Sequence, residues 1–195
     1  MGKGRLEAFS DGVIAVIITI MVLEMKVPHG STFEDLRPLL PVFLSYVLSF
    51  VYVGIYWNNH HHMLHAITRV TGPVLWANLH LLFWLSLVPF ATGWMGENHF
   101  APIPTALYGG VLFMAGAAYV LLQQCLIAVE GPNSVLRAAV GRDWKGRISP
   151  VLYTIAIVTA CWMPAVAGAI YVVVALMWLV PDRRVEHALA AHPKS

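Results

Sequence analysis

Residues 5–25 read RLEAFSDGVIAVIITIMVLEM, and a carboxylate, Asp11, stands at the mouth of a run that is otherwise apolar until Glu24. The uninterrupted apolar core, Gly12 to Leu23, has the length of a secretory signal core, with Lys3 and Arg5 as a basic flank. Glu7 and Asp11 argue against that reading, because acids stand where positive charge should dominate. Glu24 and Lys26 occupy the place of the small residues that would mark a cleavage site. The segment is therefore expected to be retained as a membrane helix, and its acid needs an explanation.

The rest of the chain is equally apolar. Of its 195 residues 58% are hydrophobic and 11% charged, with mean hydropathy +0.70; a soluble domain has about a quarter of its residues charged. A bilayer-crossing helix takes about 20 residues. By that measure the apolar blocks predict an all-α membrane protein, one domain over 1–195 with six transmembrane helices at about 6–27, 38–63, 73–96, 102–129, 147–163 and 165–181. The last two share one stretch cut at Pro164 in MPAVAG, where proline interrupts the backbone ladder. A short-looped hairpin is expected there, with one tilted, kinked helix as the alternative.

Topology follows from the basic residues, which accumulate on the cytoplasmic side. With the N-terminus inside, ten of the 12 Lys and Arg fall on the inner side and only Lys26 and Arg37 outside, so both termini are expected in the cytoplasm. The net charge of +2 is then a product of topology and implies no nucleic-acid partner. Cys125 and Cys161 fall near opposite faces of the membrane and are expected to be unpaired packing residues. The second half, rich in Val, Leu, Ala and Gly, reads as scaffold, with residues such as Gly109, Gly116, Ala156 and Gly168 permitting close helix approach. The loop from Glu130 to Arg147 is long enough for a surface helix and a turn.

Ionisable groups inside a membrane segment cost several kcal/mol unless paired or hydrated. Asp11 is the clearest case, with Arg5 about a turn and a half before it as a partner within the subunit or from a neighbour. The second helix ends in YWNNHHHMLH, which brings Trp57, Asn59, His60 and His61 to the same inner depth. Asn78 and His80 enter that depth from the third helix. A shared polar cluster with Ser10 and Asp11 would satisfy groups that isolated burial would leave unpaired.

His61 and His65 have the i, i+4 spacing of zinc ligands on one helical face. The run sits at the membrane boundary, so interfacial or hydrogen-bonded histidines are the favoured reading over a metal site or proton coupling; no metal or cofactor is expected. On the first helix, steps of three and four from Gly12 give Val16, Ile20 (with Thr19 beside it) and Leu23. Periodicity alone does not separate a stripe that packs on a partner from one that lines a pore, because the helix is apolar all round.

The opening motif resembles a known signature. Arg5, Phe9, Ser10 and Asp11 in RLEAFSD match the RxxxFSD pattern on the first helix of the transmembrane protein 175 family of potassium channels. Ser49-Phe50, YWNNHH at 56–61, Asn78 after LW and LLFWLSLVPFATGWMGE at 81–97 also look like the prokaryotic members, so the resemblance covers residues 5–97. It implies six helices per repeat, cytoplasmic termini, a multi-pass protein of the prokaryotic plasma membrane, and a homotetramer whose first helices line a central pore. Elementary geometry agrees on one point: a single helix encloses nothing, so conduction requires copies around an axis.

The resemblance further implies that selectivity lies in layers of apolar side chains at Val16, Ile20 and Leu23, with Thr19 a polar contributor. The family usually places Ile or Leu in the first layer; the shorter Val16 implies a wider constriction. Such rings oppose ions by dewetting and by stripping hydration, which implies a passive, weakly selective cation path with K+ as the permeant ion. The resemblance also assigns Arg5, Ser10 and Asp11 to an inter-helix network with Trp57, Asn59, His60 and Asn78 that fixes the rotation of the first helix. The competing class is a proton-coupled or divalent-cation transporter, which would need a second mid-membrane carboxylate that the chain does not offer after Asp11 and Glu24. An enzyme is not expected, since no nucleophile and base are paired in the pattern.

Overall fold

The computed structural model describes residues 2–131, 136–137 and 144–179. The elements are α1 (Lys3–Leu23), a short α2 (Phe33–Leu36) followed by a 3-10 turn (Arg37–Leu39), α3 (Leu40–His65), α4 (Gly72–Ser86), α5 (Val88–Glu97) and α6 (Pro102–Glu130). They are followed by α7 (Trp144–Ala160) and α8 (Pro164–Leu179). No strand occurs among the described residues. Helices are what such a sequence allows: in an apolar medium each backbone N–H and C=O must be satisfied inside its own segment. Four segments, Lys3–Leu23, Phe33–His65, Gly72–Glu97 and Pro102–Glu130, are long and apolar enough to cross a membrane. Pro164–Leu179 is apolar and shorter, at 16 residues.

The starts and stops follow local chemistry. Prolines open α3, α4 and α6 in the first turn, where the missing N–H costs no helical bond. Thr32 and Asp35 form a capping box on α2, with Thr32 N–H donating to Asp35 Oδ2 at 2.9 Å. Gly131 ends α6 at φ 86, a conformation open to glycine without steric cost.

Several boundaries differ from the sequence expectation. The first helix runs from Lys3 to Leu23 rather than over 6–27, and the second is preceded by its own capped turn and extends to His65. The segment expected as one helix over 73–96 is two. Pro89 has no N–H for the Leu85 carbonyl, so α4 stops at Ser86, Leu87 N–H turns to Trp84 O at 3.2 Å, and α5 restarts at Val88. The fifth begins at Trp144 and carries Pro150 inside it. Most of the 130–147 loop, and the end of the expected sixth helix at 180–181, lie outside the described residues.

Helix α6 packs on α4, α5 and α7, α7 packs on α8, and α3 packs on α5. Close approach is built with glycine at two places. A Cβ on Gly96 would meet Val42 Cα at 2.7 Å, so α5 lies against the α3 backbone there; a Cβ on Gly109 would collide with the Tyr171 ring. Gly116 and Gly168, expected to serve the same purpose, meet little: one ordinary contact at 3.6 Å and open space respectively. The packing of the second half on the first is also less purely aliphatic than composition suggests. Tyr108 and Ser49 lie 3.0 Å apart, Ser49 and Thr92 2.6 Å apart, and Tyr171 donates to Thr105 O at 3.0 Å. Tyr52 donates to Tyr171 O at 2.6 Å, which ties α3 to α8. Helix α1 stands at the edge of this body and touches α3, α4 and α5 with one face.

Candidate functional site

That one face decides the orientation of α1. Leu6, Ser10, Ile14, Ile17 and Met21 are buried, spaced by four, four, three and four as one side of a helix must be. Gly12, Val16, Thr19, Ile20 and Leu23 fall away from it and are exposed, Val16 at 54% and Leu23 at 79%. All four residues expected to form a constriction thus share one uncovered face in the isolated chain. Phe9 joins them at the N-terminal end of that face. A groove of about 870 Å³ runs beside it, walled by Phe9, Val16 and Ile20 on α1 and by Phe90 and Trp94 on α5.

The buried face is held by a hydrogen-bonded chain through three helices. His60 Nε2 lies 2.7 Å from Asn78 Oδ1, Asn78 Nδ2 donates to Ser10 Oγ at 3.0 Å, and Ser10 Oγ donates to Leu6 O at 2.9 Å. Because the Asn78 amide nitrogen serves Ser10, its oxygen is the acceptor for the ring N–H, which places the His60 proton on Nε2. Ser10, His60 and Asn78 are fully enclosed. Each polar group has a partner inside the chain, which is the condition for burying it at all.

Asp11 sits at the side of this chain, half-buried, and accepts the Trp57 indole N–H at 3.0 Å. Its partner is therefore Trp57 and not Arg5, whose exposed side chain makes no ion pair or hydrogen bond among the described residues. Asn59 also departs from expectation. Its Nδ2 donates to Ile55 O at 2.8 Å within α3, and the side chain lies on the wall of a different cavity. His80 takes the Trp84 indole N–H at 2.9 Å on the outer side of α4, away from Asn78.

A second fastening escaped the sequence reading. Lys3 Nζ donates to His65 O at 3.1 Å, His65 Nδ1 lies 3.5 Å from Glu7 Oε1, and Lys3 and Glu7 approach to 3.9 Å. The signal was present: Lys3, Glu7 and Asp11 recur every four residues, as do Trp57, His61 and His65. The rings of His61 and His65 lie 4.3 Å apart, and His61 stacks near Trp57 with centroids 6.1 Å apart. Among the described residues no three His, Cys, Asp or Glu side chains converge as a metal site would require.

The arrangement is a helix clamped on one side by buried polar bonds and presenting an apolar stripe on the other, in a chain that has relatives among known proteins. The family model described as "Endosomal/lysosomal potassium channel TMEM175" matches residues 5–89, which contain the clamp, the stripe and the Pro89 break. A protein named potassium channel from Chryseobacterium sp. (strain P1-3) is 55% identical over 189 residues, 97% of this chain and 98% of that protein. The Gallus gallus protein named endosomal/lysosomal proton channel TMEM175 is 34% identical over 103 residues, which are 47% of this chain and 21% of that longer protein. The crystal structure of a lysosomal potassium-selective channel TMEM175 homolog from Chamaesiphon minutus superposes with TM-score 0.80 at 26% identity, covering 92% of this chain and 97% of that one. A match of this extent, with the RLEAFSD motif at the centre of the clamp, shows that the chain belongs to the TMEM175 potassium-channel family.

Proposed function

We propose that the chain assembles as a homotetramer in the plasma membrane of a prokaryote and conducts K+ passively, with weak selectivity, through a pore lined by α1. Six membrane-spanning helices and cytoplasmic termini complete this reading. The observation that carries it is the contrast between the two faces of α1: the polar bonds to other helices and the buried packing are on one side, and Val16, Thr19, Ile20 and Leu23 are uncovered on the other. Copies arranged about an axis would turn these stripes toward one another and close a narrow apolar path. Such a path carries ions only by removing water from them, so it favours the cation that is least costly to dehydrate. Asp11 and Trp57 set the rotation of α1 and do not line the path.

The test is purified full-length protein in liposomes under a K+ gradient, read for current and reversal potential. A K+ current that needs no counter-ion supports the channel. Strictly proton-coupled flux supports the transporter class instead. The vertebrate relatives are named proton channels, so the same recording under a proton gradient scores H+ permeation through this chain directly.

A further inference from the structure

Across α3 from the clamp, a cavity of about 100 Å³ is enclosed by α3, α6, α7 and α8. One water needs only about 10–15 Å³ on this measure, so the space admits a molecule the size of an aromatic ring. Gly116 provides the room: a Cβ added there would meet nothing closer than the Tyr56 hydroxyl at 3.6 Å. Phe113, Tyr153 and Trp178 supply aromatic walls, and aromatic pairs gain from offset or edge-to-face packing. Ala117 and Val120, both exposed, form a rim through which the cavity meets the surroundings.

The polar lining is incomplete. Gln123 is only 7% exposed, lines the cavity and has no hydrogen-bond partner among the described residues. The Gln123 amide is left open to the cavity, so it presents both a donor and an acceptor to whatever fills the space. Asn59 spends its nitrogen on Ile55 O and keeps its oxygen, and the Tyr56 hydroxyl reaches Leu112 O only at 3.5 Å. The other polar groups in the wall are satisfied, as Tyr52 is by Tyr171 O at 2.6 Å and Ser149 by the Trp178 N–H at 2.9 Å. No carboxylate is among the described lining residues, and Lys145 lies 6.0 Å from the centre of the Trp178 ring. A cationic ligand would thus find no acid among the described lining residues.

We propose that this cavity is a binding site for a small uncharged aromatic molecule carrying one hydroxyl or amide group. The ring lies among Phe113, Tyr153 and Trp178, and the polar group bonds Gln123 and Asn59. The site is remote from the α1 groove and does not depend on the channel reading.

The probes are benzyl alcohol and toluene, titrated into full-length protein in detergent micelles by saturation-transfer NMR. Benzyl alcohol should bind saturably and more tightly than toluene, which leaves Gln123 unpaired. Gln123→Leu should weaken benzyl alcohol about tenfold and leave toluene equal or tighter, and Gly116→Phe should abolish both. The reversal of ligand preference in Gln123→Leu carries the test alone if Gly116→Phe does not fold. Non-saturable partitioning alike in all proteins, saturable binding that survives Gly116→Phe, or an unchanged preference in Gln123→Leu overturns the proposal. So does a wild-type cavity that holds ordered water only.

Discussion

Trp57 gives its indole N–H to Asp11 Oδ1 across 3.0 Å, and one turn nearer the N-terminus of α1 Glu7 faces His65 at 3.5 Å. The two contacts belong to antiparallel ladders, Lys3-Glu7-Asp11 on α1 and Trp57-His61-His65 on α3, each with a period of four. The Asp11–Trp57 bond and the Lys3 Nζ bond to His65 O join α1 to α3 at separate turns, so α1 cannot rotate without breaking both. The carboxylate that opens the apolar segment thus has a partner inside the chain.

The Asp11–Trp57 bond predicts coupling. Asp11→Ala and Trp57→Phe should each lower stability, and the double variant should lose less than the sum, with an interaction of about 1 kcal/mol. This lies below the range of about 1.5–3 kcal/mol for a bond to a charged acceptor because Trp57 is 45% exposed. Thermal unfolding of the four proteins in detergent measures the cycle, and strict additivity would remove the bond from the account. Asp11→Asn keeps an acceptor and should behave more mildly than Asp11→Ala.

Asn78 is the hub of the buried chain, bonded to both His60 and Ser10. Asn78→Leu should therefore cost more than Ser10→Ala, about 2–3 against about 1 kcal/mol, because it strands two buried groups rather than one. Membrane hydrogen bonds contribute only about 0.6 kcal/mol on average, so most of the loss is the cost of unpaired groups. Unfolding midpoints in detergent give the ranking.

The two faces of α1 should respond oppositely. Ile17→Ala removes a buried side chain and should destabilise by about 2 kcal/mol or more. Leu23→Ala should leave stability nearly unchanged and shift the Na+ to K+ permeability ratio, as should Val16→Asn. Ile18→Ala, between the faces, should do little to that ratio. Reversal potentials in liposomes set against unfolding data separate the groups.

Gly96→Ala places a Cβ against backbone at Val42, which cannot turn aside as a side chain tip can. It should destabilise by about 1–3 kcal/mol, while Gly116→Ala, at 3.6 Å from its nearest neighbour, should be near neutral. Melting temperatures of the two variants make the comparison.

Helical class and the shared face of Gly12, Val16, Ile20 and Leu23 were legible because they depend on local pattern, whereas the exposure of that face was not, because α1 is apolar all round. Asp11 in an apolar run demanded a partner, and the spacing of Gly12, Val16, Ile20 and Leu23 placed them on one face whatever the neighbours. Asn59 and Arg5 were misplaced because sharing a depth does not establish a shared azimuth: Asn59 is one residue from His60, and a 100° step turns it toward α6. Likewise His80 lies only two positions from Asn78 but on the outer side of α4. The break before α5 was carried by Pro89, whose effect inside a long apolar run is a kink or a stop depending on what packs there. The Tyr52–Tyr171 bond spans 119 positions and had no local signal.

The most direct test of the central claim is thiol block of K+ current in liposomes. Single cysteines at Val16, Ile20 and Leu23, and at buried Ile14 and Ile17, are placed in a chain with Cys125 and Cys161 changed to serine. Block by a charged methanethiosulfonate at Val16→Cys, Ile20→Cys and Leu23→Cys, with Ile14→Cys and Ile17→Cys unaffected, is the predicted result. Block confined to Ile14→Cys or Ile17→Cys, or no sensitivity at any α1 position in a conducting protein, would contradict a pore lined by the face that Asp11 leaves uncovered.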